Sequence, residues 1–342
     1  RMREARGIIQ NNMLAGVVQG STFLDLREES AKRVAEIGFD VYAIGGVVPL
    51  LESYKFDELV DIIMASKKNL PLNAPVHLFG AGHPMLFPLA VALGCDLFDS
   101  AAYALYAKGG RYITSDGTKK VEDLRVLPCS CPVCSSYRVT EVKESVDLLA
   151  SHNLWVTFAE MRMVKQSIAE GRLWELCERR CRAYPVLLNA LKHITSYSAL
   201  IETYDPATKH PFFYLSECSA RRPEVLRYAY RLNRFTLSGN VLITTDLKQR
   251  PEREGFDHVF VVKPPFGPCP VELRESYPVG QSELPAEIDN EAKTVALQNV
   301  VHLLTMNSGR AKFVFVYDRS WMGHPLLEAI KKCAEVREKG IN

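Results

Sequence analysis

Three thiols fall within six residues, at Cys129, Cys131 and Cys134, and an imidazole follows at His152. Thiolate is a soft ligand and imidazole a borderline one. A Cys3His set fills all four positions around a tetrahedral zinc ion and leaves none for water. The expectation is one structural zinc that folds a local loop and does no chemistry itself. A disulfide is disfavoured because Cys129 and Cys131 are separated by one residue, and nine cysteines in the chain point to a reducing, cytoplasmic compartment.

Reactive chemistry has a different candidate. Asp99 ends the apolar run Asp96-Leu-Phe-Asp99-Ser100, where a carboxylate costs free energy unless it has a task or a partner. It can act as nucleophile, general base or metal ligand, or it can simply cap a helix. Asp96 lies three residues earlier, so only one of the two is expected to face a site. Gln19 offers a donor and an acceptor beside Gly20. Gly45 and Gly46 offer bare amides, and Phe79-Gly80-Ala-Gly82 an aromatic face on flexible backbone. Together these suit a planar heterocycle, read at its edge by amides and covered on its face. Gly80-Ala-Gly82-His83-Pro84 lacks the spacing of a phosphate-binding loop. His77 and His83 have no evident metal partner and read as structural.

The elements that must position these residues repeat. Four short apolar runs, starting at Met13, Val41, Val76 and Asp96, each end in small or polar residues, and the first three are followed by helical patterns over 24–37, 56–66 and 85–93. This rhythm predicts parallel strands joined by crossover helices, with Gln19, Gly45, Gly46, Gly80, Gly82 and Asp99 at the carboxyl ends. A (β/α)8 barrel builds its active site there, and a doubly wound open sheet fits the same pattern. Residues 103–118 read as irregular, followed by the zinc loop and a long helical stretch over 148–182. Beyond Tyr204-Asp-Pro206 the character changes. Strands are expected over 212–215, 241–244, 259–262 and 313–317, and helices over 224–232, 291–305 and 325–338. A domain boundary is placed near residue 205.

Composition adds bounds. The chain has 342 residues, 47% hydrophobic and 24% charged, which is that of a globular protein with a sizeable core. The net charge of +2 neither requires nor forbids a polyanionic partner. No apolar run approaches the roughly 18 residues needed to span a bilayer, so a membrane partner is not expected.

Five motifs, in order, resemble the tRNA-guanine transglycosylases: Val18-Gln-Gly-Ser21, Tyr42-Ala-Ile-Gly-Gly46, Leu97-Phe-Asp-Ser100, Cys129-Ser-Cys-Pro-Val-Cys134 and His152. Gly45-Gly-Val-Val-Pro-Leu-Leu-Glu-Ser-Tyr54, His77-Leu-Phe-Gly-Ala-Gly-His-Pro84 and Ser100-Ala-Ala-Tyr-Ala-Leu-Tyr-Ala-Lys108 look like the archaeal, archaeosine branch. The resemblance is dense over about residues 13–175 and fainter beyond 205. It implies the carboxyl-terminal half of a (β/α)8 TIM barrel over 1–205, with a zinc-binding insertion at 129–152, followed by a smaller α/β (α+β) domain over 206–342. It also implies a pentosyltransferase that replaces guanine 15 in the tRNA D-loop with 7-cyano-7-deazaguanine (preQ0), in archaeosine biosynthesis. Asp99 would be the nucleophile. Gln19, Gly45, Gly46 and Val47 would read the base edge, Phe79 and Gly80 would cover its face, and Cys129, Cys131, Cys134 and His152 would hold zinc.

The family's second catalytic aspartate, in an Asp-Ser-Gly motif on an earlier strand, has no counterpart here. The expectation is therefore a chain lacking the amino-terminal part of the catalytic domain, inactive and poorly stable alone. A second copy or a partner chain would then supply the rest. Two rivals stand beside this reading: an archaeosine-synthase-like paralogue, and a non-catalytic tRNA-binding subunit of a split enzyme.

Overall fold

The computed structural model describes residues 2–9, 11–209, 211–246 and 254–339. The chain divides into two units, residues 1–204 and 205–342.

In the first unit, strands β1 (Ala15–Val18), β2 (Val41–Ile44), β3 (Val76–Leu78) and β4 (Leu97–Phe98) lie parallel in the order β1-β2-β3-β4. The crossovers carry helices Leu24–Ile37, Phe56–Lys67 and Phe87–Ala92. Phe56, Leu59, Val60 and Ile63 recur at helical spacing and are buried, which fixes the inward face of the second helix. Of the two aspartates flanking β4, Asp96 is spent at the amino end: its Oδ2 accepts from the Val76 amide at 2.8 Å and ties β4 to β3.

The segment expected to be irregular, 103–118, is ordered. It holds helix Ala102–Lys108 and an antiparallel hairpin of β5 (Arg111–Thr114) and β6 (Gly117–Lys120), turning at Ser115-Asp116. The expected helical stretch 148–182 is two helices, Val146–Ala169 and Leu173–Cys181. The chain turns between them as the Arg172 amide donates back to the Ser167 carbonyl at 2.7 Å. Arg180 then clamps the pair, donating from Nε and Nη2 to the two oxygens of buried Glu160, each at 2.8 Å.

In the second unit, β7 (Phe212–Phe213) pairs with β11 (Ser282–Glu283). The main sheet runs β10 (Gly267–Pro270), β9 (His258–Lys263), β8 (Gly239–Thr244), β12 (Ala311–Tyr317) and β13 (Glu335–Glu338), parallel except for β10. Alternation sends Leu242, Val259 and Val261 into one core with Phe212, Tyr228 and Phe266. Val241, Ile243, Phe260, Val262 and Phe315 enter another with Leu297, Val300 and Leu303. The helix expected over 325–338 is corrected: helix Leu326–Lys331 stops, and Glu335–Glu338 is a strand paired with β12. Glu335-Val-Arg-Glu338 is charged, as suits an edge strand, and it is too short to announce a change of period from the sequence.

A buried ion cluster anchors this unit. Glu224 Oε1 accepts from Arg222 Nη2 at 2.6 Å and faces Lys209 Nζ at 3.0 Å. Burial would raise the Glu224 carboxyl, but Arg222 and Lys209 win and hold it at about 2. Its folded value thus lies below the ordinary glutamate value of about 4.3. The stabilisation is complete above that value and is lost as pH falls from there toward 2. Glu224→Gln leaves two buried cations short of a counter-charge. It is expected to cost about 3–5 kcal/mol at neutral pH in urea unfolding, and to flatten the acid limb of stability against pH.

No helix among the described residues is long and apolar enough to cross a membrane.

Candidate active site and metal centre

The register of the first sheet builds the site. Val18 pairs with Ile44, Ile44 with Leu78, and Leu78 with Phe98. Gln19, Gly45, Phe79 and Asp99 each follow the last paired residue of their strand. They therefore stand in one row at the carboxyl edge, on neighbouring strands roughly 4.8 Å apart. Amide donations from Gly45 to Val18 O and from Phe79 to Ile44 O, both at 3.1 Å, carry the ladder into the row.

Asp99 is exposed, and both its bonds fall on one oxygen. Oδ1 accepts from the Gly80 amide at 2.7 Å and meets His77 Nε2 at 2.9 Å. Gly80 has φ +82, and a Cβ there would meet Val48 Cγ2 at 2.5 Å, so only glycine aims this amide at the carboxylate. With Oδ1 occupied, Oδ2 is the oxygen left to form a bond. The His77 and Phe79 rings lie 5.1 Å apart, and Phe79 is 53% exposed beside the carboxylate.

Gln19 lies over the second strand end, so close that a Cβ on Gly45 would meet its Nε2 at 2.5 Å. Gly46 follows, exposed, while the Val47 side chain is fully buried. Only the main chain of Val47 is left to meet a ligand. Beneath them sits Arg27, also fully buried. Its Nη1 donates to Val18 O at 3.2 Å and Gly45 O at 2.8 Å, and its Nε donates to Ser21 O at 2.8 Å. This guanidinium stitches together the two strand ends that carry Gln19 and Gly45. Sequence reading missed it, because one arginine on an amphipathic helix gives no signal. It also took His77 as merely structural. The alternation of β3 would have placed His77 on the same face as Phe79, next to the strand that carries Asp99. His83 does have a structural place: Nδ1 accepts from the Met85 amide at 3.3 Å and Nε2 meets Thr118 Oγ1 at 2.9 Å. Burial pulls it down to about 4, so it is neutral.

The thiol cluster is separate. Cys131 caps the short helix Pro132–Ser136, which carries Cys134, and His152 is in the second turn of helix Val146–Ala169. One ligand atom from each of Cys129, Cys131, Cys134 and His152 falls within 4.8 Å of all the others. His152 Nε2 lies 3.0 Å from the Ile113 carbonyl, to which it donates. Nδ1 is thereby left as a lone pair, 3.4 Å from Cys131 Sγ and 3.3 Å from Cys134 Sγ. The Tyr112 ring stacks on the imidazole at 3.7 Å. Fully buried Asn153 fixes the helix turn: its Oδ1 accepts from the Ile113 amide at 2.8 Å and its Nδ2 donates to the Tyr103 and Arg111 carbonyls. This donor set fits a metal ion.

Comparison with known proteins follows the same outline. The family model described as queuine tRNA-ribosyltransferase matches residues 1–186. A tRNA-guanine(15) transglycosylase from Methanosarcina mazei is 52% identical over 340 residues, covering 98% of this chain and 68% of that protein. The protein of that name from Haloferax volcanii is 47% identical over 306 residues, 88% of this chain and 58% of its own length. The one from Methanocaldococcus jannaschii is 49% identical over 308 residues, and the match spans 46% of it. On these matches the chain belongs to the queuine tRNA-ribosyltransferase family, alongside relatives that are tRNA-guanine(15) transglycosylases.

Proposed function

We propose that this chain carries the nucleophilic side of a tRNA base-exchange site and replaces guanine 15 of the D-loop with preQ0. One observation carries the reading: Asp99 is held through Oδ1 alone, at the carboxyl edge of a parallel sheet, in one row with Gln19, Gly45 and Phe79. Asp99 Oδ2 attacks C1′ of the guanosine. The C1′–N9 bond breaks, its electron pair leaves with guanine, and a proton must reach the departing base. The incoming 7-deazaguanine then surrenders its N9 proton and attacks C1′, and the aspartyl ester bond breaks, restoring the carboxylate. The covalent stage keeps the RNA chain whole between the two steps. Gln19 and the main chain of Gly45, Gly46 and Val47 read the edge of the base. Phe79 and Gly80 cover its face.

The row has one carboxylate, so the proton traffic of base departure calls for a group from outside it. The sheet has room for one. The outer edges of β1 and β4 have no strand partner among the described residues, and Met13, Phe23, Leu26 and Leu97 near those edges are exposed. Such edges call for cover. Closure into a (β/α)8 barrel, by further strands or by a partner chain, would cover them and bring in the second acid–base group. Residues 1–205 would then be the barrel portion and 206–342 an accessory domain. Cys129, Cys131, Cys134 and His152 would hold one zinc, which supplies local folding and no reaction step.

The test is incorporation of labelled preQ0 into a D-loop transcript, with and without a fused or added strand-supplying segment from a relative. Activity that requires both Asp99 and the segment is the expected result. Exchange by a chain with Asp99 replaced would overturn the assignment, and full exchange by the monomeric chain alone would overturn the need for closure.

A further inference from the structure

The second unit has its own crevice, distinct in chemistry from the row at Asp99. In its sheet β8 has β9 on one side and β12 on the other. The chain thus leaves β8 in one direction for β9 and returns on the opposite side for β12. Open α/β sheets bind ligands at such a reversal, outside the carboxyl ends of the two strands. Here those ends are Thr244-Thr245-Asp246 and Tyr317-Asp318, and a cleft of about 750 Å³ opens over them.

Its chemistry is mixed. Thr245 Oγ1 donates to Asp318 Oδ2 at 2.9 Å and accepts from the Asp318 amide at 3.0 Å, which locks the two strand ends together. Burial would raise the Asp318 carboxyl, but hydrogen bonds from Ser320 and Thr245 and the charge on Lys293 hold it below the usual aspartate value. An ionised carboxylate with lone pairs to spare is an acceptor for ligand N–H groups. Ala286 and Ile288 provide the accessible apolar part of the lining. Lys293 stands at the rim, donating to the Ser320 carbonyl at 2.6 Å and lying 5.8 Å from the centre of the Trp321 ring. Two of its three N–H groups remain for an anion. Lys339 is tied to Asp246.

A second cleft, of about 460 Å³, adjoins the first and shares Lys293, Ser320 and Trp321 with it. The cation therefore sits on the wall between two spaces. The described residues that end β8, Thr244-Thr245-Asp246, include no glycine and offer no backbone cradle for a pyrophosphate.

We propose that this crevice binds a nucleotide with a single phosphate: a nitrogen heterocycle against Ala286 and Ile288 donating N–H groups to Asp318, and the phosphate at Lys293. The ligand is either a free mononucleotide or one nucleotide of an unpaired RNA strand, whose neighbour would occupy the second cleft. Both share this chemistry, and the experiment separates them.

The full chain is titrated with each of the four nucleoside 5′-monophosphates, and separately with a single-stranded RNA tetranucleotide. Binding is read by saturation-transfer NMR and by Trp321 fluorescence. Lys293→Met and Asp318→Asn are each expected to weaken it by roughly tenfold or more, as loss of a charge-assisted bond should. Ala286→Trp, which fills the cleft without touching either charge, carries the test if Asp318→Asn fails to fold. Saturable binding of a monophosphate that these variants weaken assigns a free nucleotide. Binding of the tetranucleotide alone, weakened in the same way, assigns an RNA strand. If neither probe binds, or if binding is unchanged in Lys293→Met and Ala286→Trp, the crevice is not a nucleotide site.

Discussion

Asp99→Asn, in a base-exchange-competent assembly, is expected to lower exchange on the order of 10³-fold or more, the scale of losing a nucleophile, and to leave no covalent RNA adduct on denaturing gels. The substitution isolates the chemistry from the fold. An asparagine Oδ1 can accept the same two hydrogen bonds, from the Gly80 amide and from His77, that fix Asp99 now. What changes is the outward atom, from a carboxylate oxygen to an amide nitrogen with no lone pair to give. Folding stability and tRNA affinity should therefore stay near those of the parent while turnover disappears. A neighbouring change makes the contrast. His77→Ala removes one of the two restraints on Oδ1 and keeps the nucleophile, so it should lower kcat by roughly ten- to a hundredfold with KM little altered. Near-normal exchange by Asp99→Asn would mean that another residue attacks C1′.

The parts of this site that were legible in the sequence are those in which residue type alone narrows the chemistry. Three cysteines and a histidine at close spacing have few uses, and the structure does bring their ligand atoms together. Parallel strands announced themselves because the first three apolar runs ended in glycine or a polar residue before a helical period began. Asp99 could be singled out from Asp96 as ending such a run, but its partners could not be read, because they depend on register, and register is a pairing of distant segments. His77 and Arg27 were lost for the same reason. Their partners, Asp99 and the Val18 and Gly45 carbonyls, lie on other elements; nothing local marks Arg27, and the alternation of β3 marks the face of His77 but not its bond to Asp99. Short elements failed differently. The hairpin over 111–120 and the strand Glu335–Glu338 have four residues per strand, too few to express a period of two against helical neighbours. Lys331 and Lys332 extend the helical appearance just where the chain turns into the strand.

Loss of a metal from the proposed zinc site is the second large effect expected. The cluster is more than four ligands: Tyr112, Val133, Val142 and Leu149 are buried around it, and the three cysteines pack against that core. Without an ion, burial pushes the Cys129 thiol up and the Cys134 thiol to about 12, and pulls His152 down to about 4. The Cys129 and Cys134 thiols and the His152 imidazole are thereby held neutral. A zinc ion held by Cys129, Cys131, Cys134 and His152 would take the place of the thiol protons, and its binding energy would become folding energy. Cys131→Ala is expected to bring zinc content well below one per chain and to lower stability by about 3 kcal/mol or more, near 10 °C in Tm. Cys333→Ala, at an exposed thiol outside the cluster, should change neither. The damage should also be local. Amide exchange should rise first over 111–120 and 129–153, where the Ile113 contacts to His152 and Asn153 are lost, while β1–β4 keep their protection. A Cys131→Ala protein that retains one zinc and an unchanged Tm would show that these thiols do not hold the ion. Loss of protection throughout the parallel sheet would show instead that the metal supports the strand ends at Asp99, and that the zinc loop and the nucleophile share one folding unit.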